Sequence, residues 1–399
     1  MCEAGAVRVT PAARVQSAIE LLDQVIVAAR DGGPAADVIA KGFFKARRYA
    51  GSKDRRAVRD LAWNAIRRWG DRPADGRAAI VGLAAEQPDL APLFDGSPHG
   101  PAPIGPGEKR AGGRTIPAWL VDRFAKPVRG DLDALMERAP LDLRANSLKA
   151  SRDVLLEELP GAEPLAAAPN AVRVPEGTDI VGTDAYAQGR IEVQNLGSQL
   201  ICQASGAKPG MTALDLCAGA GGKTLALAAM MENRGRLIAA DTDRRRLGQL
   251  PERAERAGVT IAEPLLLDPN REAEALADLK GRCDLVMVDA PCSGTGTWRR
   301  NPETRWRLTT KRLEALTSLQ ARLLDLAADM VAPGGRLVYA VCSLLDEEGE
   351  GQAARFLADR PGWQSVPYHG AGRSHGAATL LDPAHDGSDG FTFAMFGPT

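Results

Sequence analysis

Two short stretches place a thiol where an apolar run ends: VDAPCSGTG (Val288–Gly296) and LVYAVCS (Leu337–Ser343). Taken singly, a cysteine in such a place reads as a small buried hydrophobe. Cys292 and Cys342 differ because both runs read as strands expected to be neighbours in one sheet, with Asp289 beside them. Paired thiols suit covalent catalysis on a pyrimidine, one hard step split into easier ones. Carbon 5 of the ring is too weak a nucleophile to attack a sulfonium methyl. A thiolate adding to carbon 6 makes the ring enamine-like, and carbon 5 can then take the methyl. Loss of the carbon 5 proton and elimination of the thiol complete the cycle. A free thiol titrates near ~8.5, so the attacking one needs help from its surroundings.

The second constellation is DLCAGAGGKT (Asp215–Thr224), a Gly-rich turn between a strand and a helix. Such a turn lets a ligand approach the backbone and aims helix N–H groups at it. Three ligands compete for it. A polyphosphate loop needs Gly where Cys217 stands, and Asp215 adds a negative charge. A dinucleotide fingerprint does not match the spacing of Gly219, Gly221 and Gly222. S-adenosylmethionine carries no phosphate and has a cationic end, so acidic strand ends suit it. Asp241, in the ribose-binding position of nucleotide folds, closes the second strand, with Asp268 on the third and Asp289 on the fourth. Each alone would more often be a helix cap or loop residue. Together the four carboxylates favour a methyl-donor site.

The elements that position these residues follow from periodicity. From Val193 onward apolar strands (Thr212–Cys217, Arg236–Asp241, Pro264–Asp268, Cys283–Ala290, Arg336–Ser343) alternate with helical stretches, and FTFAMF (Phe391–Phe396) reads as a last strand. That alternation predicts an α/β doubly wound parallel sheet with its ligand at the carboxyl ends of the strands. Residues 12–71 are helical in pattern, with Thr10–Pro11 as a start signal. Asp95–Gly113 is rich in Pro and Gly and reads as a linker or long loop. The expected organisation is a helical domain over 1–94, linker and short helix over 95–140, a small α+β module over 141–192, and the catalytic domain over 193–399.

The chain of 399 residues is 44% hydrophobic and 25% charged with a net charge of −1, so it is globular and any nucleic-acid surface must be local. Two segments are locally basic. Lys41–Arg72 holds eleven Lys/Arg against three Asp, and Arg299–Arg312 holds six against one Glu. Both read as candidates for RNA-backbone contact, the alternative being solvated helix faces. Six cysteines without a CxxC pair argue against a disulfide scaffold, and no metal site is expected. No apolar signal core or 18-residue apolar run occurs, so the expected place is the cytoplasm, without membrane contact. Cys2, Cys202 and Cys283 take no assignable role.

DLCAGAGGKT, DAPCSGTG and LVYAVCS resemble, in order, three signature segments of the RNA cytosine-carbon-5 methyltransferases, the family of the bacterial ribosomal RNA enzyme and the eukaryotic Nop and Sun proteins. The resemblance covers Val193–Thr399, including QNLGSQ (Gln194–Gln199) and GSDGFTFAMF (Gly387–Phe396). It implies a class I S-adenosylmethionine-dependent methyltransferase fold. It also implies Cys342 as the nucleophile at carbon 6, Cys292 as the thiol that releases product, and Asp289 on the cytosine edge and in the cofactor pocket. Cys217, Ala218, Gly219, Ala220, Gly221, Gly222, Lys223, Asp241 and Asp268 would hold S-adenosyl-L-methionine. YAGSKDRRAVRDLAWNAIRR (Tyr49–Arg68) is similar to a NusB-like all-α RNA-binding domain, and Leu141–Leu159 to the family's small preceding module. Lys53, Arg55, Arg56, Arg299, Arg300 and Arg305 are thereby candidate RNA contacts. The chain departs from the family in Gly219-Ala220, where Ala-Pro is usual, and in Val341, where Thr is common. The expected activity is 5-methylcytosine formation in RNA by a monomer, small-subunit ribosomal RNA being favoured over transfer RNA. The alternative is a non-catalytic RNA-binding or ribosome-assembly factor of the same fold. An amino-group methyltransferase would need an aromatic residue where Cys292 stands.

Overall fold

The computed structural model describes residues 9–399, and Cys2 lies outside them. The chain divides into two units. One comprises the chain up to Asp122 together with Trp298–Thr309; the other comprises Arg123–Thr297 and Thr310–Thr399.

The first unit is helical: α1 (Pro11–Asp31), α2 (Ala36–Ala46), α3 (Ser52–Arg68) and α4 (Gly76–Glu86). Helix α1 starts as its sequence predicts, with the Thr10 hydroxyl accepting the Ala13 N–H at 3.1 Å and Pro11 in the first turn. Its residues Ala18, Leu22, Val25 and Ile26 pack with Val58, Ala62 and Ile66 of α3 and Ile80 and Leu83 of α4 in one core. The Pro/Gly-rich stretch does not hang free as a linker. Ala111 N–H donates to the Ala78 carbonyl at 2.8 Å, and Gly70 N–H to the Arg114 carbonyl at 2.9 Å. Arg77 pairs with Glu108 at 2.6 Å. With its backbone groups satisfied from the helices, the stretch is ordered without secondary structure of its own.

The second unit carries two sheets. The smaller has strands β1 (Leu141–Ala145), β2 (Glu163–Pro164), β3 (Ala171–Val174) and β4 (Ile191–Val193), all antiparallel in the order β2-β3-β1-β4. It encloses its own core of Leu143, Leu155, Val172, Val174 and Ile191. The larger sheet has the parallel strands β5 (Thr212–Leu216), β6 (Arg236–Asp241), β7 (Ala262–Leu266), β8 (Cys283–Asp289) and β9 (Val331–Val341). The antiparallel strands β10 (Trp363–Ser365), β11 (Arg373–His375), β12 (Ala378–Leu381) and β13 (Phe391–Pro398) extend it in the order β11-β12-β13-β9-β8-β5-β6-β7, with β10 on β13.

Alternation along the strands feeds two cores. Ala213, Leu237, Ala239, Leu285, Met287 and Val338 face one side, and Leu214, Leu216, Ile238, Val286, Val288 and Tyr339 the other. The chain runs from β5 outward through β6 and β7, then crosses back to β8 and β9. The order therefore reverses between β5 and β8, where doubly wound sheets bind ligands.

Candidate active site

The Gly-rich loop leaves β5 at this reversal. Cys217, Gly219 and Gly221 have φ of 70°, 58° and 85°, the left-handed region, and the helix Gly222–Met230 begins directly after. Cys217 is the costly member, since a side chain there is strained. The loop is pinned to the neighbouring strand: Gly219 N–H donates to Asp241 Oδ2 at 2.7 Å, and Ala218 N–H to the Ala240 carbonyl at 3.0 Å. Asp241 Oδ1 accepts the Asp243 N–H at 2.6 Å. Asp241 thus fixes the loop itself, with remaining lone pairs for a ligand. A Cβ at Gly219 would stand 2.4 Å from the Arg246 guanidinium, so this glycine leaves room for that arginine.

The four strand-end carboxylates do not act alike. Asp215 is fully buried within β5 and accepts the Thr224 hydroxyl at 2.6 Å, while its other oxygen has no partner. Burial, opposed by that hydroxyl and helped by Asp289, pushes its pKa up to about 7. It belongs to the core and not to the pocket edge. Asp268 stands two residues beyond β7 and is exposed. Asp289 ends β8 and accepts the Lys223 ammonium at 2.7 Å. Burial works against the lysine's charge, but the Asp289 carboxylate outweighs it and holds the Lys223 pKa above its usual value.

The two thiols meet. Strands β8 and β9 run parallel with Asp289 opposite Ala340, and their continuations bring Cys292 Sγ to 3.3 Å from Cys342 Sγ. The neighbouring Cys342 sulfur, then burial and the Glu348 charge, push the Cys292 thiol well up. Burial also raises Cys217, Cys202 (to about 12) and Cys283 (to about 11). These three are interior or loop thiols; Cys202 and Cys283 are buried.

Sequence reasoning missed the polar knot beneath the thiols. Fully buried Glu348 accepts Ser293 N–H at 2.8 Å, the Ser293 hydroxyl, and the Gln320 amide at 2.9 Å. Ser343 Oγ lies 3.2 Å from Ser293 Oγ and 3.0 Å from Thr295 Oγ1. Glu348 sits in the acidic run Asp346–Glu350, which in sequence looks like a solvated turn. Its spacing six residues after Cys342 was the only available signal.

The candidate RNA contacts fall into two groups. Lys53 and Arg56 are exposed on the first turns of α3, with Arg55 half-buried and donating to the Ala50 carbonyl at 2.7 Å. Arg299 is buried and Arg300 half-buried. Arg305 corrects the expectation: it is buried, and its guanidinium donates to the carbonyls of Ile66, Arg67 (2.8 Å) and Trp69 (3.0 Å). A guanidinium so committed stabilises the helical unit and is not placed for a phosphate.

Sheet order, Gly loop and strand-end carboxylates define the class I S-adenosylmethionine-dependent methyltransferase fold. The family described as 16S rRNA methyltransferase RsmB/F matches residues 205–397. The "Probable ribosomal RNA small subunit methyltransferase B" of Synechocystis sp. is 34% identical over 70% of this chain and 66% of its own length. The "Ribosomal RNA small subunit methyltransferase B" of Vibrio vulnificus is 30% identical over 71% and 67%. The chain belongs to the RsmB/F family. It spans 63% and 57% of the Enterobacter sp. and Bacillus subtilis relatives, so matches cover about two thirds of such proteins or less. Among solved structures, PH0851 shares the fold over 96% of this chain and 98% of its own (TM-score 0.77, 22% identity). NSun6 from Pyrococcus horikoshii, solved with SFG, shares it over 70% and 96% (TM-score 0.61, 20% identity).

Proposed function

We propose that this chain transfers a methyl group from S-adenosyl-L-methionine to carbon 5 of a cytosine in RNA, through a covalent bond between Cys342 and the base. Small-subunit ribosomal RNA is the favoured substrate, as the relatives' names suggest. The observation that carries the reading is the 3.3 Å approach of two thiols on the strand ends flanking Asp289.

The loop's own chemistry fits the methyl donor. Gly222 has no atom within 4 Å of a built Cβ, so the backbone at the helix start is open to a ligand. Asp241 and Asp268 add negative charge, while the charge of Lys223 is taken up by Asp289. Such a site suits a phosphate-free, cationic ligand. Cys217–Lys223, Asp241 and Asp268 would hold it, and when bound it supplies an electrophilic methyl on a sulfonium.

The chain's residues would do the rest. The Cys342 thiolate adds to carbon 6, and the ring's electron pair moves onto carbon 5. Asp289, oriented by Lys223, accepts hydrogen bonds from the amino edge of the base and holds the ring in place. Carbon 5 takes the methyl, leaving the neutral thioether. The carbon 5 proton passes to water, and the protonated Cys292 thiol donates a hydrogen bond to the Cys342 sulfur as that sulfur leaves. The bond between carbon 6 and Cys342 breaks, which restores the ring double bond and the thiolate. On the helical unit, exposed Lys41, Lys45, Arg48, Lys53 and Arg56 have no carboxylate partner among the described residues, and Tyr49 is 68% exposed beside them. Cations interleaved with an exposed ring suit an RNA backbone with an unpaired base.

The test is transfer of labelled methyl to small-subunit ribosomal RNA and to transfer RNA in parallel, with nucleoside digestion. Label in 5-methylcytosine from ribosomal RNA alone is the expected result. Label from transfer RNA alone would change the substrate. A protein that binds cofactor and RNA yet labels neither, as RNA or as particle, would be the assembly factor instead.

A further inference from the structure

The knot beneath the two thiols carries a desolvation cost that packing alone does not explain. Glu348 has none of its surface exposed and no Lys or Arg within ion-pair distance among the described residues. A carboxylate in that position is costly to desolvate, and replacing buried charge by apolar groups commonly leaves a protein as stable or more so. What the carboxylate does here is geometric. It takes both the N–H and the hydroxyl of Ser293, the residue that follows Cys292. Its Oε1 also takes the Gln320 amide, which reaches on to the Pro291 carbonyl at 2.9 Å, the residue that precedes Cys292.

The other thiol is tied to the same knot. The hydroxyl of Ser343, which follows Cys342, lies against those of Ser293 and Thr295, and its carbonyl accepts the Thr392 hydroxyl at 2.8 Å. Gly296 N–H donates to the Cys342 carbonyl at 3.1 Å. The Glu348 carbonyl is itself held by the Tyr339 hydroxyl at 2.7 Å, from within β9. The flanks of each thiol are therefore bound through one carboxylate. The negative charge so close to the Cys292 loop also helps keep that thiol protonated.

We propose that Glu348 is a positioning residue: by gripping Ser293 and Gln320 it holds Cys292 against Cys342 for the release of methylated product from the covalent intermediate. The inference rests on the function proposed above and adds which buried group sets the release step. A residue with a merely structural role would lower the folded fraction and weaken both steps alike. A positioning residue for Cys292 should spare methyl transfer and slow release.

The experiment compares wild type with Glu348→Gln, Ser293→Ala, Cys292→Ala and the Glu348→Gln/Cys292→Ala double variant. It measures single-turnover methyl incorporation, steady-state turnover, KM for RNA, and RNA–protein adduct that survives denaturation. Glu348→Gln should keep single-turnover incorporation and KM within about twofold while turnover falls on the order of tenfold to a hundredfold, as misplacement of a reacting group by about 1 Å produces. Adduct should accumulate, and adding Glu348→Gln to Cys292→Ala should change nothing further, because both act on one step. Ser293→Ala, which removes one grip and leaves the N–H, should show the same defect more weakly and carries the test if Glu348→Gln does not fold. Wild-type turnover in Glu348→Gln and Ser293→Ala, or equal loss of transfer and release without adduct, overturns the inference. Absence of adduct in Cys292→Ala, on an RNA that wild type methylates, would instead remove the covalent reading beneath it.

Discussion

At the scale of single residues, chemistry separates groups that look equivalent. The two thiols 3.3 Å apart are proposed to act in sequence, so their removal should have opposite signatures. Cys342→Ala should abolish turnover by about 10³-fold or more with no adduct, whereas Cys292→Ala should trap one, as denaturing gels of the RNA-bound protein would show. The carboxylates separate likewise. Asp215, with a pKa of about 7 when folded, binds a proton that the unfolded chain releases near pH 4. Between those values the native state holds more protons, so this residue's contribution to stability falls as pH rises from about 4 to 7 and is then flat. Urea unfolding at pH 5 and pH 8 should show a drop in wild type on the order of 2–4 kcal/mol from this group, absent in Asp215→Asn. Equal pH dependence in the two proteins would show that Asp215 ionises normally.

At the scale of elements, the loop after β5 depends on left-handed backbone. Gly221 caps the helix Gly222–Met230 with φ of 85°, and a Cβ there would meet Leu250 at 2.4 Å. Gly221→Ala should cost about 1–2 kcal/mol and weaken cofactor binding, read by chemical denaturation and by calorimetry with S-adenosylhomocysteine. The five parallel strands and β13 were legible in the sequence because apolar runs bounded by Gly and Asp leave few alternatives, whereas the short strands β10, β11 and β12 were not. The adjacency of Cys292 and Cys342 followed from taking their two strands as neighbours in a doubly wound sheet. Asp215 was not legible as a core residue: an acid at the end of a strand and an acid one residue inside it look the same until burial is known. Glu348 was hidden for the converse reason, since an acidic run predicts solvent. Helices Arg244–Leu247 and Leu250–Ala257 are separated at Gly248.

At the scale of the whole molecule, the chain leaves the methyltransferase unit after Thr297 and gives Trp298–Thr309 to the helical unit before returning at Thr310. That segment finishes helices made more than two hundred residues earlier. Glu303 accepts the Ala36 N–H at the start of α2 (3.1 Å), and Arg305 takes the last carbonyls of α3, each charge matching the helix end it meets. Trp306 packs in the helical core and donates to the Trp69 carbonyl at 2.8 Å. Sequence alone could not tell this basic segment from an RNA-binding one, because charge counting sees neither burial nor capping. The two readings predict different variants. Arg305→Ala strands carbonyls of Ile66, Arg67 and Trp69 and should destabilise the helical unit by about 2–4 kcal/mol. Lys53→Ala/Arg56→Ala alters exposed cations and should leave stability within about 0.5 kcal/mol. The double variant should instead weaken RNA binding and lower the dependence of log Kd on log salt by about one unit for each phosphate that is no longer neutralised. RNA titrations at two or more salt concentrations, with cofactor affinity measured alongside, read both effects. An unchanged salt slope in Lys53→Ala/Arg56→Ala would move the RNA surface away from α3, while a changed slope in a fully folded Arg305→Ala would return that arginine to the RNA-binding role that its burial denies it.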